Sequence, residues 1–193
     1  MAQNPLSAEA APQTTPHTPR ELVSAMRLAF NKLDDYQCVL VEQNLRKPDE
    51  RSESDYQFKK PKLLRLVGTA GRSKGALVIL DAQGKPHLRK NGFPIPTMFA
   101  RDDLRDFAAS DFGSLIAGME AAVETGKATV TESADGSLEL KFEQVKRVKT
   151  YRIDPKSMLP VGLTETENGK PVSKTEWRDL KLNQGLKSEL FKP

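Results

Sequence analysis

The stretch from Asp55 to Asp81, DYQFKKPKLLRLVGTAGRSKGALVILD, constrains this chain more than any other. It reads as three consecutive strands, separated by a Lys-Pro corner and a Gly-rich turn. Tyr56 and Phe58 alternate with polar neighbours until Pro61 closes the first run. Leu64 and Leu66 share one face with Arg65 opposite them. The third run, Ala76 to Leu80, is apolar on both faces, so it needs cover on both sides. That predicts a central strand packed under a helix.

Before this stretch, Thr18-Pro19-Arg20-Glu21 has the order of a capping box: an N-cap threonine, a proline at the first helical position and a glutamate at the third. Leu22, Met26, Phe30 and Leu33 then recur at helical spacing, and Asp34-Asp35 ends the helix. A strand over Tyr36 to Leu45 follows, then a charged hairpin loop over Lys47 to Ser54. After Leu80, a turn at Asp81-Ala82-Gln83-Gly84 makes His87 to Lys90 an antiparallel partner. Asn91 to Pro96 reads as a break, and Met98 to Ala109 as a short helix or irregular cover. Asp111 caps a second long helix with Phe112, Leu115, Ile116, Met119 and Val123 on one face, closed by Gly126. The remainder is a meander in which Leu138, Leu140 and Phe142, then Tyr151 and Ile153, then Leu159, Val161 and Leu163 alternate along the strands, with Asn168-Gly169 as a hairpin signal. Nine or ten strands with inserted helices give an antiparallel α+β pattern, one sheet face shielded and the other largely charged.

With 193 residues, the chain can form one domain burying roughly 70% of its unfolded surface. Its first residues are rich in Ala, Gln, Thr and Pro. They predict a disordered leader over 1–17 before a single domain over 18–193. Such a prefix is also what removal of a secretory signal leaves. No apolar run is long enough to span a membrane as a helix. Cys38 is the only cysteine, so no internal disulfide or thiolate metal cluster can form, which fits the cytosol and the periplasm alike. The net charge of +4 allows anionic partners without requiring them.

No catalytic constellation emerges. His17 lies in the leader and His87 on a strand, which leaves one structured histidine for any triad or metal centre. Gly68 to Gly75 lacks the Gly-Lys-Ser/Thr order of a phosphate loop and reads as a turn. Cys38 reads as a small core residue. Lys59, Lys60, Lys62 and Arg65 form the densest basic group, either a solvated strand end or the rim of an anion or headgroup site. Lys146, Arg147 and Lys149 read as a charged hairpin end. Nucleic-acid binding would need stacking aromatics among these bases, and only Tyr56 and Phe58 are near. Small residues on or beside the helix faces (Ala25, Ala29, Ala117, Gly118, Ala121 and Ala122) allow either close helix-to-sheet approach or room for a ligand.

The order of elements carries a resemblance. A helix precedes a YxCxLVEQ-like first strand. FKKPKLLRL, a Gly-bounded strand pair and a central helix follow, then Tyr151-Arg152-Ile153-Asp154-Pro155, Leu159-Pro160, Asn183, Leu186 and Phe191. This resembles the LolA-like superfamily of periplasmic outer-membrane lipoprotein carriers over most of Leu22 to Pro193. The resemblance implies an incomplete barrel: a strongly curved antiparallel sheet whose concave face is covered by helices over a hydrophobic cavity for acyl chains. It implies non-catalytic carriage of a lipid, acyl chain or lipoprotein in the periplasm, with no cofactor or metal. A lipid or lipidated protein is the expected partner, along with a membrane-associated donor or acceptor protein. The expected cavity lies between helices and sheet and is lined by some of Met26, Phe30, Leu64, Leu66, Phe112, Ile116 and Met119. Its expected rim is Lys60 and Arg65. Lys60 stands where the carriers have an arginine before the proline, so the charge remains and the bidentate fork does not. A related branch senses envelope stress with a second domain, for which a chain of this length has no room. The alternative is a protein-interaction module with no lipid cavity.

Overall fold

Thr18 caps the first helix as its sequence requires: its hydroxyl accepts from the Glu21 amide, and the Glu21 carboxylate accepts in return from the Thr18 amide. The computed structural model describes residues 18–193. The expected leader over 1–17 lies outside the described residues. Helix α1 (Pro19–Asn31) is followed by β1 (Asp35–Asn44), β2 (Arg51–Lys59), β3 (Leu63–Gly71), β4 (Ala76–Leu80), β5 (Pro86–Lys90) and β6 (Phe93–Pro94). A 3-10 turn over Thr97–Phe99 leads into α2 (Arg101–Ala108) and α3 (Phe112–Val123). The chain then returns as β7 (Ala128–Glu132), β8 (Leu138–Glu143), β9 (Arg147–Asp154), β10 (Leu159–Glu167) and β11 (Lys170–Leu182). A second 3-10 turn, Ser188–Phe191, ends it.

All eleven strands form one antiparallel sheet in the order β6-β5-β4-β3-β2-β1-β11-β10-β9-β8-β7. The first and last long strands pair at its centre, and the free edges, β6 and β7, lie in mid-chain. The segment joining those edges must therefore travel from one side of the sheet to the other. It carries α2 and α3 across the concave face, where α3 packs on α1. One cluster unites Leu22, Met26 and Phe30 of α1, Phe112, Ile116 and Met119 of α3, and the inward positions of the strands, from Leu64 and Leu80 to Leu138 and Leu140. Helices on one shared face are what the apolar alternation predicted, and the open, curved sheet is what the resemblance implied.

Three expectations need correction. The strands number eleven, not nine or ten, because Phe93–Pro94 within the expected break pairs with β5. The expected loop over Lys47 to Ser54 is shorter, since Arg51 already pairs with Gln43. Main-chain pairing needs no apolar alternation, so a polar strand end leaves no periodic signal. Finally, β4 is third from an edge instead of central. It is nonetheless covered on both faces at its end. Leu80 joins the concave cluster, while Leu63 and Ile79, pointing the other way, are buried outside it. On that side the C-terminal 3-10 turn, with Phe191 buried, packs against β3.

Candidate functional site

Helix α3 shapes the concave face. Its N-cap Asp111 accepts from the Ser114 amide at 3.0 Å and from the Ser114 hydroxyl at 2.6 Å. Phe112, fully buried, stacks on Tyr36 of β1 at 4.4 Å between ring centroids and meets Trp177 of β11 edge-on at 5.8 Å. The Phe112 amide donates to the Tyr36 hydroxyl at 3.1 Å, and the hydroxyls of Tyr56 and Ser110 share a hydrogen bond at 3.0 Å. Burial pushes the Tyr36 phenol well above its usual pKa, so it stays neutral. The next residue is glycine for a reason of space. A Cβ on Gly113 would lie 2.6 Å from the Phe30 ring, so only glycine lets α3 approach α1 here. Farther along, Arg27 clamps Glu120 through two hydrogen bonds of 2.9 and 2.8 Å, and Arg20 reaches Glu124 at 3.0 Å.

The aromatic stack closes this half of the concavity. Met26, Leu64, Phe112 and Ile116 have no exposure, Met119 and Phe30 very little, and Leu66 packs partly buried against them. The structure thus brings all seven expected cavity residues together. Six of them fill the space among themselves.

Met119 also lines a half-open groove of about 290 Å³ on the far side of α3. Ser114, Leu115, Gly118 and Ala122 form its helix wall, and Phe142, Gln144, Lys149 and Tyr151 its sheet wall. Phe142 and Tyr151 hold each other edge to face at 6.1 Å. A Cβ added at Gly118 would meet nothing within 4 Å, so that position opens onto free space. Lys149, at the polar end, pairs with Glu165 of β10 at 2.9 Å. Burial alone would lower its pKa, but Glu165 and Tyr151 outweigh burial and hold the ammonium above the ordinary lysine value. Three strands from β9, on the same face, Glu42 of β1 is reached through the pairs Tyr151↔Leu163, Leu163↔Thr175 and Thr175↔Glu42. It is accessible to solvent, yet the surrounding concave wall strips enough water to raise its carboxyl pKa.

The expected rim residues lie elsewhere. Lys60 donates to the carbonyl of Asn31 at 2.9 Å and sits 5.1 Å from the centre of the Phe30 ring. It supplies the positive charge that the last turn of α1 lacks in its own sequence. Arg65 points to the opposite face of the sheet from Leu64 and Leu66. There its guanidinium donates to Gln57 at 2.9 Å, and Gln57 in turn donates to Gln37 at 3.5 Å. Of the groove residues not expected at a site, Phe142 and Tyr151 were visible in the sequence as inward strand positions, and Leu115 as part of the α3 stripe. Lys149 gave only the signal of a charged hairpin end.

Cys38 is buried, and burial pushes its thiol up to about 12, so it is not a nucleophile at neutral pH. Among the described residues no three of His, Cys, Asp and Glu stand close enough to hold a metal ion. None of the described helices is long and apolar enough to cross a membrane.

No family model matches the sequence, and no curated protein matches it. Solved structures do. MucB from Pseudomonas aeruginosa, in its complex with MucA, superposes with a TM-score of 0.52 at 12% identity, covering 91% of this chain and 60% of that one. The LolA superfamily protein NE2245 from Nitrosomonas europaea gives 0.47 at 12% identity, covering 91% of this chain and 98% of that one. A DUF1329 family protein from Desulfovibrio piger gives 0.44 at 11% identity, with 90% and 95% covered. This chain thus spans about three fifths of the length of the MucB chain. At such identities the likeness speaks for the fold alone. The fold shared with MucB is an open, curved antiparallel sheet with helices laid across its concave face.

Proposed function

We propose that the protein binds an apolar chain, that of a lipid or a lipidated protein, in the groove between α3 and strands β8 and β9, without catalysis and in the periplasm. The observation that carries this reading is the groove itself. It is walled by Leu115, Met119, Ala122, Phe142 and Tyr151, left open by the bare Cα of Gly118, and ends at an ammonium group. Each methylene moved from water into it is worth about 0.8 kcal/mol. Six would supply roughly 5 kcal/mol before the cost of association. Lys149 and Gln144 then offer donors to a polar head. The packed cluster behind the groove, from Met26 to Ile116, serves as its rigid back wall.

Titration of a fluorescent fatty acid into wild type and Gly118→Leu tests the reading. Leucine has room at this position, so the fold should persist while the groove fills. Affinity should fall at least tenfold; equal binding by the two proteins would remove the groove from the site.

A second reading, a protein-interaction module, has one observation in its favour. The free edge β7 carries no proline and runs Ala-Thr-Val-Thr-Glu, a sequence suited to accepting another strand. MucB, which shares the fold, was solved bound to MucA. Absence of fatty-acid binding in wild type and Gly118→Leu alike would favour this reading.

A further inference from the structure

The chain contains thirty basic and twenty-six acidic residues. Between residues 72 and 98 there are five basic residues and one acidic, so the rest of the chain carries twenty-five of each. The whole positive excess of the protein therefore resides in the segment that builds β4, β5 and the edge strand β6. Its single carboxylate, Asp81, is engaged locally. It lies 2.6 Å from the His87 ring and accepts from the Gln83 and Lys85 amides.

The same edge exposes large apolar side chains. Among the described residues, Phe93 is 75% and Met98 63% exposed, in the run Phe93-Pro94-Ile95-Pro96-Thr97-Met98. The fold gathers the cations around this run. Lys90 pairs with Phe93 and Arg89 with Pro94. The Lys90 ammonium donates to the carbonyl of Lys74 at 2.6 Å, which draws the β3–β4 turn, with exposed Arg72 and Lys74, to the same corner. From Phe93 the chain runs back beside β5, with the Ile95 amide donating to the Leu88 carbonyl at 2.8 Å. Met98 then stands by the β4–β5 turn, lining a depression with Leu80, Gly84 and Pro86, and Lys85 lies in that turn.

We propose that this edge is a docking surface for an anionic lipid bilayer. Phe93 and Met98 enter the headgroup boundary, and the surrounding cations meet lipid phosphates. Two features favour a lipid surface over a protein strand. Pro94 and Pro96 lack amide hydrogens, so the edge cannot extend the sheet by continuous pairing. Arg72 also reaches Glu50 of the neighbouring hairpin at 3.9 Å, but the segment keeps a net positive charge, and protruding apolar side chains beside such a basic cluster are complementary to acidic headgroups above an apolar interior. Binding here does not depend on the groove at α3, which lies on the other side of the sheet's centre.

The test is co-sedimentation of the full chain with two kinds of vesicle: phosphatidylglycerol mixed into phosphatidylcholine, and phosphatidylcholine alone. Wild type should sediment with the anionic vesicles only, and less so as salt rises. Phe93→Ser with Met98→Ser should weaken that binding at least tenfold, with circular dichroism unchanged because both side chains are exposed. Lys90→Glu with Arg89→Glu should abolish the preference for phosphatidylglycerol. Gly118→Leu should sediment as wild type does, which separates this surface from the groove. Failure of wild type to sediment with anionic vesicles would overturn the proposal and leave the edge to a protein partner. Undiminished sedimentation of the double serine variant would overturn it as well.

Discussion

The two sides of helix α3 face the same curved sheet and end up in opposite states. Toward β1 and β2, its Phe112 fits between Tyr36 and Trp177, and Gly113 lets the Phe30 ring close in. Toward β8 and β9, Gly118 and Ala122 leave room between Leu115 and Met119 on the helix and Phe142 and Tyr151 on the sheet, and a groove stays open. Both sides use small helix residues. On one side glycine admits a neighbour's ring, and on the other it leaves a gap. The difference lies in what the facing element presents. A small residue therefore marks a site only when its partner is also held back, as Phe142 and Tyr151 are by their contact with each other.

Truncating the closed side should have the largest effect. Phe112→Ala removes a fully buried ring from the aromatic stack and should cost about 3–5 kcal/mol in denaturant-induced unfolding. A loss below about 1 kcal/mol would mean that the stack is not the keystone of this half. The open side should respond in the opposite sense. Gly118→Leu, which blocks the groove, should raise stability by up to about 1 kcal/mol, because glycine in a helix interior is unfavourable and the added side chain meets no obstacle. A stability loss there would mean that the groove is less open than its geometry implies.

Lys60→Ala sharpens the comparison further, since this lysine lies on the closed side. It should cost about 1 kcal/mol through loss of the charge at the end of α1 and over the Phe30 ring. Fatty-acid affinity should stay within about twofold of wild type, a difference well under 1 kcal/mol. A tenfold fall would instead place Lys60 at the ligand's head.

The smallest effect belongs to Glu42. Its carboxyl pKa is raised above 4.5 in the folded state, so the native protein keeps that proton to higher pH than the unfolded chain does. Stability then declines as pH rises from about the ordinary value through the raised one, and the penalty is complete above it. Glu42→Gln removes the penalty. The variant should be slightly more stable than wild type at neutral pH, with the difference vanishing below about pH 4. Melting curves across that range measure it, and a gap that widens on acidification would contradict the sign.

The sequence alone determined the local frame. The capping box at Thr18, the N-cap at Asp111, the Pro61 corner and the Asn168-Gly169 hairpin each depend on a few adjacent residues, and all stand where they were read. Strict alternation in Leu138, Leu140 and Phe142 and in Tyr151 and Ile153 set which face turns inward, because the side-chain period of a strand allows no other choice. The residues of the packed cluster followed from those faces and from the helix stripes.

Only the tertiary structure decided where space is left over and where charge is spent. Lys60 and Arg65 are near neighbours in the same basic group, yet one caps a helix and the other lies across the opposite sheet face. A charge reveals nothing in sequence about the direction of its partner. The groove likewise depends on a helix from mid-chain meeting strands drawn from the following meander, at a separation set by residues elsewhere, such as Gly113 against Phe30 and Arg27 against Glu120. Periodicity tells which side chains face inward. Whether they touch depends on how far apart the backbones settle, and that distance is a property of the whole packed layer.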